Sequence, residues 1–484
     1  MRRRFPSLAL LLGTALVISG CGGGDAREPV IDEQERQLGA EQHPVLLAEF
    51  GGSYDDTQAR YVAATGEKLA RQAGLEGQCT FTLVNSDVVN AFAVPGCYIY
   101  ITRGLLGIVN SEDEMASVLA HELGHIVGDH SERQQKRSFL RGLGVLAVGL
   151  ITGSERLTQI AGQAATYFTL RYSRKQEYQS DDLGIRFLRQ AGYDPYAAAD
   201  MLGSLARHEQ FLTSTGGRDE ARSIPEWART HPLTENRIER ARATAAKTGV
   251  GPDALPEKER PYLTQLDGLL YGDDPQQGFV LGRRFAHPIM RISFEAPPGF
   301  TLTNSPRAIL IDGPDGMRGE FAGGEVPEGG LQAYLSLLIR QALGDAPAQV
   351  GVAEQRMING VPALLVPVRI ETREGQVEVS LAAYSQNGRD AYHFMMVSAP
   401  SRSAGGAIGA LFQSFRMLSA EEARSLRGRQ ISVVAVGSGD KLERLARRMA
   451  TDHPAQHFLM LNGRAAGQPL KGGELVKLIT FKAH

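Results

Sequence analysis

The run SVLAHELGHIVGDHSERQQ, residues 117–135, sets His121 and His125 four positions apart with Glu122 beside the first. Ser111 followed by Glu114 has the form of a capping box, which predicts a helix that starts there and continues through the run. On a helix, residues four apart lie one above the other, so both imidazoles face the same way and can reach one zinc ion at about 2.0–2.1 Å. Glu122 is turned by about 100° from that axis. There it can take a proton from a zinc-activated water and pass it to a leaving amine. A five-letter pattern also occurs by chance, and the other reading is a solvated His/Glu face. The choice turns on a third ligand, because a catalytic zinc site has three protein ligands and one open position.

His130 is one candidate, but a histidine ten residues after the first would fall at 131, which is Ser131, so His130 is out of register for that arrangement. The better one lies in YSRKQEYQSDDLGIRFLRQAGYDP, a helical segment that starts 47 residues beyond His125 and ends at a Gly-Tyr-Asp-Pro stop. Glu177 and Asp181 are four apart in it. One carboxylate can bind the metal while the other accepts the free N–H of a ligand histidine. Ion pairing with Arg174, Lys175 or Arg186 is the alternative use of both.

At 484 residues the chain is long enough for about three domains, with 42% hydrophobic and 22% charged residues and a formal net charge of −2. That balance excludes nucleic acid as a partner expected from charge. Three arginines and a short apolar run open the sequence, the form of a secretory signal over residues 1–20 rather than a spanning helix. The run closes on Ile18-Ser19-Gly20-Cys21, which resembles a bacterial lipobox and implies a lipidated Cys21. Gly22 after it, by resemblance to known lipoproteins, implies a periplasmic protein anchored to the inner leaflet of the outer membrane, with 21–40 as a tether. Cys79 and Cys97 either pair in that oxidising compartment or remain buried thiols. The apolar stretch FLRGLGVLAVGLITG, 139–153, is too short to cross a bilayer and reads as a packed or membrane-facing helix.

Four motifs, NAFAVPGCYIYITRGLL, HELGHIVGDH, YSRKQEYQSDDLG and THPLTENRIERA, occur in the order and spacing of the HtpX/Ste-type zinc metallopeptidases, peptidase family 48, and the chain resembles their periplasmic, lipidated members. The resemblance covers residues 41 to about 247. It implies a mainly helical gluzincin fold and one Zn²⁺ per chain held by His121, His125 and Glu177. Glu122 would be the general base and Asp181 the residue behind the ligands. Gln179 and Cys97 depart from the family's usual glutamate and glycine; neither is a ligand position. Asn90, Ala91, Phe92 and Ala93 would form the edge strand on which an extended substrate adds through main-chain hydrogen bonds. Asn90 as a turn cap and Phe92 as core are the other readings. His231 and Arg237 match THPxxxxR, whose histidine either stabilises an oxyanion, latches onto the open metal position, or is only part of a His-Pro turn.

Beyond the protease domain at 41–250, residues 251–285 are rich in Gly, Pro and Asp and read as a connector. Alternating strands with helices near 330–343 and 405–416 make 286–420 an α+β antiparallel-sheet domain without a catalytic cluster. Residues 428–484 read as a small βααβ unit that resembles a divergent LysM module. The whole is an α+β multidomain chain. The expected function is a zinc endopeptidase degrading misfolded or stalled envelope and outer-membrane proteins, and family analogy adds the β-barrel assembly machinery as a partner. Two other classes fit the same sequence: a chaperone-like assembly factor with a latched zinc site, and a peptidoglycan-associated peptidase.

Overall fold

A computed structural model describes residues 31–54, 57–130, 172–215, 226–232, 235–252, 254–255, 258–343, 347–372 and 375–482. The signal segment, Cys21 and the apolar stretch 139–153 lie outside the described residues.

The tether expected over 21–40 is shorter than that. Asp32 and Glu35 close a capping box and start helix α1 (Glu33–Glu49), so residues 33–40 are helical. Helix α2 (Thr57–Gln72) follows, then strands β1 (Thr80–Val84), β2 (Ala91–Val94) and β3 (Tyr98–Thr102). The sheet order is β1-β3-β2, with β1 and β3 parallel and β2 antiparallel at the edge. A disulfide joins Cys79 and Cys97, the residues just ahead of β1 and β3. Cys97 has φ +59°, in the left-handed region. That explains why glycine is usual in the motif at this position.

Helix α3 (Arg103–Ile108) leads directly to α4 (Glu112–Val127), which carries the two histidines. Ser111 caps α4 by accepting from the Glu114 N–H at 3.1 Å. The expected return arm is displaced: Glu114 accepts from the N–H of Asn110 at 3.2 Å and from Ser204 Oγ at 2.8 Å. From Asp113 to His125 every residue of α4 is buried. Leaving a polar group of this helix unpaired therefore carries a cost, and Ser117 Oγ and Glu122 Oε1 are left so.

Helix α5 (Arg174–Ala191) starts at a Ser173–Gln176 capping box and ends at Gly192 in the left-handed conformation, as the Gly-Tyr-Asp-Pro stop predicts. It packs tightly on α4. A Cβ on Gly124 would lie 2.7 Å from the Ser180 carbonyl oxygen, and one on Gly184 would lie 3.2 Å from the His121 nitrogen. These two glycines let the backbones approach closely enough for His121 to meet both Glu177 and Asp181 and for His125 to meet Glu177. Helices α6 (Ala197–Thr215), α7 (Glu226–Thr230) and α8 (Glu235–Ala246) complete this half.

Residues 251–285 are not a connector. They hold α9 (Glu259–Leu266) and β4 (Leu270–Tyr271), and Tyr262, Leu263, Leu266 and Leu269 are buried in the same core as α4. The glycines that suggest a linker instead supply left-handed turns, such as Gly268 at φ +85°, between short buried elements. The second domain also starts early, with β5 (Phe279–Leu281) and β6 (Arg284–His287). Strand β5 pairs with β6 and β6 with β7 (Ile292–Glu295), beside an eight-stranded antiparallel sheet that spans residues 301–398. Helices at Gly330–Leu343 and Arg402–Gln413 match the two expected there.

The C-terminal unit comprises a strand at Arg429–Ala435, helices at Leu442–Ala446 and Pro454–Leu461, and a closing strand at Leu475–Phe481. Its two strands pair antiparallel, and β4 adds as a third. Ile431 and Met460 of this unit sit in the core that contains α4. Among the described residues no helix is long and apolar enough to cross a membrane.

Candidate metal centre

One ligand atom each from His121, His125, Glu177 and His231 lie within 4.8 Å of one another, and all four residues are buried. The Nε2 atoms of His121 and His125 are 3.1 Å apart. Glu177 places Oε2 3.6 Å from the His121 nitrogen and Oε1 3.6 Å from that of His125. His231 brings Nδ1 to 3.3 Å from His121 Nε2 and 3.1 Å from Glu177 Oε1. The expected trio thus converges, and His231, a residue 110 positions from His121, joins it.

Glu122 lies beside the group, with Oε1 3.7 Å from His231 Nε2. That oxygen is buried and without a hydrogen-bond partner. Burial pushes the Glu122 carboxyl above its ordinary value, although His231 and His121 oppose it. Such a group takes up a proton more readily than a surface glutamate.

Asp181 stands behind His121, Oδ1 to Nδ1 at 3.0 Å. Arg237, expected among the reacting residues, also faces the carboxylates: it donates to both Asp181 oxygens at 3.0 and 2.8 Å and pairs with Glu177 at 2.9 Å. It acts by holding the two carboxylates in place. Burial would raise both acids, yet the charges around them win. His231, His121 and Arg237 hold Glu177 well below the usual carboxylate range, and Arg237 and His121 hold Asp181 down. Both acids are therefore ionised where three imidazoles converge. This donor set suits zinc.

Two residues were not legible as site residues. Trp227, the single tryptophan, is buried one helical turn before His231 and stacks on its ring at 4.2 Å. The four-residue spacing was the only signal. Tyr172 lies 3.9 Å from the His125 ring, ring centre to ring centre.

The β2 residues are placed at the sheet edge, as expected. Asn90, Ala91 and Ala93 are buried. Phe92 packs between Phe50 and Tyr100, ring centres 4.9 and 4.8 Å away, which favours its reading as core. Just ahead of β2, the Val89 carbonyl accepts from the Trp227 N–H at 3.2 Å, so the segment that carries His231 lies against the start of that edge.

Residues 56–245 match the model of Peptidase family M48. Over 221 residues the chain is 32% identical to a protease HtpX homolog of Pyrococcus abyssi, across 73% of that protein and 38% of this one. The chain belongs to peptidase family M48. It is also 30% identical over 211 residues to the beta-barrel assembly-enhancing protease of Yersinia pestis, covering 42% of each chain. With the mitochondrial metalloendopeptidase OMA1 of Schizosaccharomyces pombe it shares 27% over 214 residues, 42% of this chain and 59% of that one. The match thus spans less than half the length of the beta-barrel assembly-enhancing protease. All the residues of the metal group fall inside the M48 segment, whereas the eight-stranded sheet and the C-terminal unit lie outside it.

Proposed function

We propose that this M48 chain is a zinc-dependent endopeptidase of the bacterial periplasm that cleaves misfolded or stalled envelope and outer-membrane polypeptides. The observation that carries the chemistry is the convergence of four buried ligand atoms within 4.8 Å, with an unpartnered Glu122 oxygen beside them. The names of the relatives, a beta-barrel assembly-enhancing protease and a metalloendopeptidase, support the reaction class and the envelope setting. They also support the β-barrel assembly machinery as a partner. The sequence of residues 1–21 supports secretion and a lipid anchor at Cys21.

His121, His125 and Glu177 would hold one zinc ion per chain, which when bound polarises a peptide carbonyl and acidifies a water molecule. Glu122 Oε1 takes the proton of the attacking water and delivers it to the amine that leaves. Asp181 fixes His121 through Nδ1, and Arg237 fixes Asp181 and Glu177, so the ligands are ordered before substrate arrives. The main-chain groups on the edge of β2 would take the substrate as an added strand.

His231 favours a second reading within the same site. A catalytic zinc keeps one position open, and His231, whose Nδ1 is 3.3 Å from His121 Nε2, would be near enough to fill it as a fourth ligand. The structure therefore fits a resting, latched enzyme, the state a chaperone-like factor would also use. The wall-associated reading has less support, because the C-terminal unit packs into the core of the N-terminal half.

Digestion of an unfolded protein such as casein, wild type against Glu122→Gln, tests the proposal. Cleavage lost in the variant with zinc retained in both supports it; equal cleavage by both sinks Glu122 as the base.

A further inference from the structure

His130 is buried at 0% exposure, five residues after His125. Its placement is built into the backbone. Helix α4 ends at Gly128, and Asp129 turns into the left-handed region at φ +52°. A Cβ on Gly128 would come within 2.6 Å of His130 Nε2, so glycine there makes room for the ring. The ring ends with Nδ1 3.0 Å from His125 Nδ1 and 3.2 Å from Ser180 Oγ, and Nε2 3.3 Å from Gln179 Oε1.

Hydrogen-bond direction follows from the other side of His125. Its Nε2 faces His121 and Glu177 in the metal group, so a ligand lone pair there requires the proton on Nδ1. That N–H points to His130, whose Nδ1 must then accept. His130 consequently carries its own proton on Nε2, where the Gln179 carbonyl oxygen accepts it, with Ser180 Oγ alongside Nδ1 at 3.2 Å.

We propose that His130 is the positioning residue of His125, an imidazole acceptor that fixes the orientation and tautomer of this metal ligand, with Gln179 fixing the tautomer of His130 in turn. The two histidines of the motif are then supported unequally, His121 by the Asp181 carboxylate and His125 by a neutral ring. Gln179, which replaces a usual glutamate of the motif, is an amide that can serve as this neutral acceptor. The proposal rests on the zinc reading above.

Zinc affinity measured against a chromogenic chelator tests it in the full chain, with His130→Leu, His130→Asn and Gln179→Leu beside the wild type. His130→Leu is expected to bind zinc about 10–100-fold more weakly, the usual cost of losing a partner behind a ligand. His130→Asn supplies an amide oxygen for the His125 N–H and is expected to recover most of the loss. Gln179→Leu should fall between them, with the melting temperature of metal-free protein unchanged. Wild-type affinity in His130→Leu, or equal losses in the leucine and asparagine variants, would overturn the role of His130 and leave the metal centre standing. Wild-type protein that takes up no zinc would overturn the centre and this proposal together. If the leucine ring replacement prevents folding, Gln179→Leu still decides, since wild-type affinity there removes the tautomer chain.

Discussion

Lys477 donates from Nζ to the carbonyl oxygen of Gly107 at 2.9 Å, across 370 residues of sequence. The same Nζ reaches the Val109 carbonyl at 2.8 Å. It is fully buried, at the end of α3 and two residues before the cap of the metal-binding helix. Burial pushes this amine down to about 7, and it donates to both carbonyls in either charge state. Tyr262 meets the neighbouring Leu106 carbonyl at 2.6 Å. The turn that launches α4 is thus capped by two residues from beyond the M48 segment.

Lys477→Met should accordingly leave two buried carbonyls unsatisfied and lower stability by roughly 2–4 kcal/mol. Denaturant unfolding followed by circular dichroism measures it. A midpoint within error of wild type would show that the C-terminal unit does not brace the metal helix.

If His231 latches the zinc site, His231→Ala would open the fourth position. Casein cleavage is expected to rise several-fold at constant zinc content. A fall would instead assign His231 to the reacting carbonyl, and no change would leave the latch without a role.

Acid should weaken the joint between α6 and the C-terminal unit. His208 of α6 is pushed down to about 4 by burial, and its Nδ1 has no hydrogen-bond partner. His457 is pushed down to about 3, by burial first and then by Arg429, His208 and His453, while Tyr271 and Thr451 hold its ring nitrogens. Both are neutral when folded and protonate more readily when unfolded. Their contribution is complete above the ordinary value near 6.5 and declines as pH falls toward 4, by roughly 1–2 kcal/mol per histidine at about pH 5. Melting curves between neutral pH and pH 5 test this, with His208→Leu expected to show a shallower decline. The same slope in the variant would remove His208 from the effect.

The Cys79–Cys97 bridge closes a loop of 18 residues around β1 and β2, which corresponds to roughly 3 kcal/mol of unfolded-state entropy. Reduction, or Cys79→Ala with Cys97→Ala, should lower the melting temperature and loosen the edge strand. An unchanged melting temperature in reductant would contradict it.

The metal helix and its partner helix were legible in sequence because their signals are local. Ser111 and Ser173 cap, Gly192 stops, and residues four apart must share a helical face whatever surrounds them. Composition misled where local chemistry and burial diverge. Gly and Pro between 251 and 285 mark turns equally well in a loose linker and between short elements of a core, and only packing separates these.

The sequence by itself determined the ligand types, their helical spacing and the carboxylates that would complete a site, because each depends on residues a few positions apart. Tertiary structure decided the rest: that Gly124 and Gly184 let the helices touch, that Arg237 faces the acids, that His231 joins the other three residues of the metal group and that His130 lies against His125. It also decided that the last strand of the chain caps the turn before the metal helix. Such contacts join residues tens to hundreds of positions apart, and their energies come from burial and desolvation that exist only once the chain has folded.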